Sequence, residues 1–146
     1  MSCTRDLFNS IKVSRGLSPL TQTNADTAFV SEILDTALHE SAVYVILLGA
    51  MTDADMTAVV LVEDGDASNL SDNAAVDDAY LLGTEAAASF QFGDDLGVRK
   101  IGYIGPKRYV RVTVTPTGNN SGALPIAGAW IQGHSRRRPT ATNADA

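Results

Sequence analysis

Apolar residues along this chain come in short runs, rich in β-branched side chains and parted by turn residues. That rhythm predicts strands rather than helices. Residues 7–13 (LFNSIKV) form a first candidate strand with Leu7, Ile11 and Val13 on one face, and the polar stretch 14–26, with Gly16 and Pro19, reads as a connection. Residues 29–38 fit two patterns: Phe29, Ile33, Thr36 and Ala37 match helical spacing, while Thr27, Val30 and Ile33 suit an extended chain. We read them as strand with a turn. The run VYVILL (43–48) is continuously apolar, which predicts a central strand buried on both faces. It is followed by a tight TDAD turn and a second strand at 57–63, and the two are expected to pair as an antiparallel hairpin.

Further along, residues 64–78 are small, polar and acidic, and read as a long exposed loop. Short strands are expected at 79–82, 88–92 and 98–104, with a GDDLG turn at 93–97. The segment KRYVRVTVT (107–115) alternates cleanly: Val110, Val112 and Val114 point one way, and Tyr109, Arg111, Thr113 and Thr115 the other. A TGNNSG hairpin turn (117–122) leads into a last strand at 125–132, anchored by Trp130. With no internal repeat and no alternation of strand with helix, the pattern predicts an all-β antiparallel β-sandwich or jelly roll of about eight or nine strands. Residues 1–139 would form one domain with arms at both ends, and 140–146 a flexible tail.

Charge adds a second pattern. Every Lys and Arg after Arg15 lies between Arg99 and Arg138, whereas 16–98 holds no basic residue. The formal net charge of −6 argues against affinity of the whole protein for nucleic acid. Three readings of the basic unit remain: phosphate contacts with Tyr103, Tyr109 and Trp130 stacking, pairing with the protein's own acidic loops, or docking on an acidic partner or neighbouring copy. The candidate interface residues are Arg108 and Arg111 on the polar face of the alternating strand and Arg136, Arg137 and Arg138 as an anchoring arm. Docking is favoured for the arm, because an arginine fork grips a carboxylate through two hydrogen bonds.

No catalytic set is visible. The only histidines, His39 and His134, stand in no recognisable motif, and there is no G-x-S-x-G. Asp64-Gly65-Asp66-Ala67-Ser68 resembles the start of a calcium loop, but Asn69 and Ala75 occupy the positions that need Gly and Glu. The glycines of the basic unit form no phosphate-binding motif. No cofactor or metal is expected. Cys3 is the only cysteine, so no disulfide framework exists. The longest apolar run, 42–50, is too short to span a bilayer. MSCTRDLFNS lacks the apolar core of a signal peptide, so synthesis in the cytoplasm is expected, without a membrane partner.

The segment RKIGYIGPKRYVRVTVTPTGNNSGALPIAGAWIQGHSRRRP (99–139) resembles the C-terminal half of small virion proteins of tailed bacteriophages. Those commonly show an RIGY-x-G-x-KRYVRV strand pair, a Gly/Thr turn, a small-residue apolar strand and a GHP-x-x-x-P ending. Ile101-Gly102-Tyr103, residues 107–112 and Gly133-His134 match; Ser135 replaces the usual Pro, and Pro139 keeps the terminal one. The segments DLFNSIKVSRGLSP (6–19) and ESAVYVILLGAMTDADMTAVVLVEDGD (40–66) also fit the layout. The resemblance implies a non-enzymatic capsid cement or decoration protein. It would be made in the host cytoplasm and sit on the virion surface, with the major capsid protein and other copies of itself as partners. The alternatives are another virion component (tail, neck or fibre base) and a carbohydrate-binding module for host attachment. Exposed aromatic residues would support the last of these, yet the single Trp reads as a core anchor.

Overall fold

The computed structural model describes residues 5–137. Cys3, Arg138, Pro139 and the expected tail 140–146 lie outside the described residues. Among the described residues eleven strands, more than the eight or nine expected because several are only two residues long, form two antiparallel sheets packed face to face as a β-sandwich. The first sheet runs in the order β1 (Ile11–Thr23), β11 (Ala123–Ser135), β4 (His39–Leu48), β9 (Val98–Tyr103) and β7 (Leu81–Leu82). The second is built on β10 (Tyr109–Thr117) and β5 (Thr57–Gly65). Two short strands, β2 (Phe29–Val30) and β3 (Leu34–Asp35), pair with the free edge of β10. On the far side β6 (Ala74–Ala75) and β8 (Phe90–Gln91) pair with β5. The α-helix α1 (Glu85–Ala88), one turn long, is capped by Thr84, whose hydroxyl accepts from the Ala87 N–H.

The alternation in β10 holds as predicted: Val110, Val112 and Val114 are fully buried. Such burial is worth about 1.5–3 kcal/mol for each side chain. Facing them from the first sheet are Tyr44, Ile46, Leu124, Ile126 and Trp130. Trp130 is a core anchor, as read; its ring stands 4.7 Å from that of Tyr44 in an edge-to-face contact, and its indole N–H donates to the Glu32 carbonyl at 3.2 Å.

Several sequence expectations are corrected. The strand at 43–48 is not buried on both faces: Tyr44, Ile46 and Leu48 point inward, while Val43 and Val45 are partly exposed and Leu47 is half exposed. It does not pair with 57–63 either, because β4 and β5 belong to opposite sheets. The same holds for β10 and β11: the turn between them carries the chain from one sheet to the other instead of closing a hairpin. The supposed connection 14–26 is mostly strand. β1 runs to Thr23 along the sheet edge, with register shifts on either side of Leu17 that break the alternation. The stretch 64–78 is not wholly an exposed loop. Asp64 and Gly65 end β5 in buried positions, and Leu70 is buried. His134 lies within β11 rather than after it, at positive φ.

Candidate functional site

At one end of the sandwich the turn between β3 and β4, the loop between β9 and β10 and the end of β11 surround a polar cleft of about 410 Å³. Its floor comes from Ser41 and Ala42 of β4, and its walls from Thr36, Lys107, Arg108 and Arg136. Local chemistry fixes the loop at 104–108. The buried Tyr103 hydroxyl donates to Asp64 Oδ2 at 2.7 Å and accepts from the Lys107 N–H at 3.2 Å. Burial, then the Asp64 carboxylate, pushes that phenol's pKa up, so it stays a donor. Gly105 passes directly over the Tyr103 ring, where a Cβ would stand 2.6 Å from ring atoms. The opposite wall is tied on by Thr36, whose N–H and hydroxyl both donate to the Arg108 carbonyl, at 2.9 and 2.8 Å.

Two arginines of the cleft are each held by a carboxylate. Arg108 grips Asp35 with two parallel hydrogen bonds, Nε to Oδ1 at 2.9 Å and Nη2 to Oδ2 at 2.8 Å. Its guanidinium also lies 5.1 Å from the centre of the Tyr109 ring. The Arg108 hydrogen bond holds the Asp35 carboxyl below the usual range, and Asp35 in turn raises Arg108. Arg136 Nε donates to Glu40 Oε1 at 2.7 Å, and its backbone N–H to the Leu38 carbonyl at 3.0 Å. Lys107 donates to Asp66 at 2.6 Å. Pairing organises the cations beyond the cleft too: Arg99 meets Asp94, and Arg111 meets Glu63, which also accepts from Asn73.

Arg108 and Arg136 therefore meet at one cleft, and Arg111 does not join them; it stands on the outer face of the second sheet, level with Glu63. Arg137 is exposed, its backbone closing a small ring with Ser135. The acidic partners Asp35 and Glu40 went unrecognised in the sequence because they lie 73 and 96 positions from their arginines. The carboxylates of the calcium-like loop have protein partners instead: Asp64 takes Tyr103 and Asp66 takes Lys107. Among the described residues no group of three or more His, Cys, Asp or Glu side chains is placed to hold a metal ion. Burial, with Lys12 contributing, lowers the His39 pKa. His134 Nδ1 lies 2.9 Å from Ser41 Oγ, and among the described residues neither histidine bonds a carboxylate that could orient it as a base.

No protein-family model matches the chain, and no curated protein sequence does. Solved structures match in fold. A family 29 carbohydrate-binding module from Piromyces equi aligns over 85% of this chain and 92% of its own, at 9% identity and a TM-score of 0.50. TmCBM61, solved with β-1,4-galactotriose, aligns over 87% and 90% at 9% identity and a TM-score of 0.43. At these identities the likeness is one of fold, the β-sandwich. The expectation of a capsid cement protein is corrected here, because the solved structure that matches at a TM-score of 0.50 is a carbohydrate-binding module, the class held as an alternative.

Proposed function

We propose that this chain is a non-catalytic glycan-binding module whose ligand enters the polar cleft at the end of the sandwich. The observation that carries this reading is the pair of braced arginines, Arg108 on Asp35 and Arg136 on Glu40, that line one cavity. A sugar hydroxyl is donor and acceptor at once. Fixed guanidinium N–H groups and free carboxylate lone pairs present both functions in a set geometry, so little ordering cost falls on binding. The Tyr109 ring beneath Arg108 helps to fix the first of these pairs. The fold likeness to carbohydrate-binding modules supports the choice of ligand class.

A binding role also suits the electrostatics. Glycoside cleavage requires a carboxylic acid whose pKa is raised. Asp35 is held in the opposite direction by Arg108. Affinity electrophoresis against a panel of soluble polysaccharides, followed by calorimetry, tests the proposal. Retardation by at least one polysaccharide, lost in Arg108→Ala, is expected. A folded protein that migrates unchanged through the whole panel would overturn it.

A further inference from the structure

The outer face of the first sheet is apolar across its two central strands. Val43, Val45 and Leu47 of β4 point outward, and the register sets Ile131, Ala129 and Ala127 of β11 beside them. Val98 lies opposite Leu47 on the other flank, and Val13 opposite Ile131. Leu47, Val98 and Val13 are 50%, 56% and 53% exposed. The outer face of the second sheet is mixed: Val59 and Leu61 of β5 stand among Tyr109, Arg111, Thr113, Thr115 and Glu63. An apolar patch of this extent marks an interaction surface rather than a plain solvated face.

Its charges stand at the borders. Arg15, Ala129, Val45 and Lys100 form one transverse row across β1, β11, β4 and β9. β1 is an edge strand, and at Lys100 so is β9, because β7 reaches only Gly102 and Tyr103. An apolar centre inside a charged rim is the layout of a protein–protein contact.

We infer that this face is covered by a second copy of the chain in a two-fold, sheet-on-sheet contact. The first argument is area. Four strands about 4.8 Å apart, each with about seven residues at about 3.3 Å, give a footprint of roughly 400–500 Å² before side-chain relief is added. That approaches the roughly 600–1,000 Å² that each partner contributes to a standard interface. The second argument is relief. The β4 ridge of Val45 and Leu47 runs beside a β11 trough of Ala129 and Ala127, with Val43 beside Ile131 at one end. A two-fold axis lying between these strands lays each ridge over the other copy's trough, so the contact is self-complementary.

This geometry has a salt signature. The same axis brings Lys100 of one copy over the Arg15 border of the other. Arg15 is paired there with Glu32, so that border is close to neutral, and what opposes association is the net charge of −6 on each copy; salt screens that repulsion, so association strengthens as salt rises. A partner held by an acidic rim would show the reverse. The dimer would also carry two clefts, which multiplies attachment to a repetitive polymer.

Sedimentation equilibrium with the full chain at micromolar concentration tests the inference. Twice the chain mass is expected, with association tightening as salt is raised. Val45→Lys and Leu47→Lys, each checked for fold by circular dichroism, should weaken the dimer by roughly tenfold or more. Ala129→Trp, which fills the trough, is the second route should a buried lysine impair folding. Val59→Lys, on the outer face of the other sheet, should leave the dimer intact. A wild-type chain that stays monomeric, a dimer that salt dissociates, or one that survives every first-sheet variant would each overturn the inference.

Discussion

The phenol of Tyr44 lies against the bare backbone of Gly128, where a Cβ would stand 2.7 Å from Tyr44 Cζ and closer still to the hydroxyl oxygen. Gly16, on the neighbouring strand β1, meets the same ring from its other edge. Tyr44 is fully buried, its hydroxyl has no hydrogen-bond partner, and burial pushes its pKa up. Two strands thus give up a side chain to seat one aromatic ring. Gly128→Ala should cost about 1–3 kcal/mol through overpacking. Tyr44→Phe should leave stability unchanged or raise it, because it removes a buried hydroxyl whose desolvation nothing offsets. Urea unfolding followed by fluorescence of Trp130, the only tryptophan and 4.7 Å from the Tyr44 ring, reads both changes. A clear loss of stability in Tyr44→Phe would show that the hydroxyl has a partner.

The Tyr103–Asp64 pair leads to the opposite expectation for the same substitution. Here the hydroxyl donates to a buried carboxylate at 2.7 Å and accepts the Lys107 N–H. Tyr103→Phe removes both, leaving Asp64 without its donor, and should cost about 1–3 kcal/mol. Because the lost N–H bond comes from Lys107, next to Arg108, the loss should also loosen the cleft wall. Faster amide exchange at 105–108 would register that loosening, and unchanged exchange would exclude it.

What the sequence disclosed follows from how locally each feature is encoded. The face-to-face alternation of β10 was legible because burial is one-sided, so Val110, Val112 and Val114 mark the core without reference to any other segment. β1 was not. Gly16 and Pro19 with their register shifts interrupt its period, and its edge position tolerates polar residues. Alternation reports inward against outward but not which sheet a strand joins, so two sheet-to-sheet crossovers, β4 to β5 and β10 to β11, read as hairpins. The cleft was half visible. Arg108 and Arg136 stood out as basic residues in an acidic chain, yet nothing local linked them to Asp35 and Glu40.

Acid should weaken the fold through carboxylates held below their ordinary values. Asp53 accepts the Ser121 and Asp55 N–H groups, Asp72 those of Asp66 and Ala67, and Asp35 the Arg108 fork. All three pKa values are lowered, chiefly by these hydrogen bonds. A group depressed in the folded state contributes stability that is fully present above its unfolded value, about 3.9 for Asp, and is lost as pH falls through the folded one. Thermal midpoints should therefore be flat from neutral pH down to about 5 with respect to these groups and drop below about 4. Asp53→Asn and Asp72→Asn should each flatten that acid limb. An unchanged limb in both would place the acid sensitivity elsewhere.

The cleft makes the sharpest demand, because Arg108 and Arg136 line it and Arg111 does not. Arg108→Ala removes the N–H fork, frees Asp35 and uncovers one side of Tyr109. Its pair is about half exposed on both sides, so stability should change little. Glycan binding, in contrast, should fall by roughly tenfold or more, as for loss of an anchoring arginine. Arg108→Lys keeps the charge but not the bidentate geometry and should fall almost as far. Arg136→Ala should also weaken binding, with a similarly small stability change, since its pair is also largely exposed. Arg111→Ala is the control: its partner Glu63 lies outside the cleft, so calorimetry should find affinity within about twofold of wild type. A binding loss confined to Arg111→Ala would move the ligand from the cleft to the outer face of the second sheet.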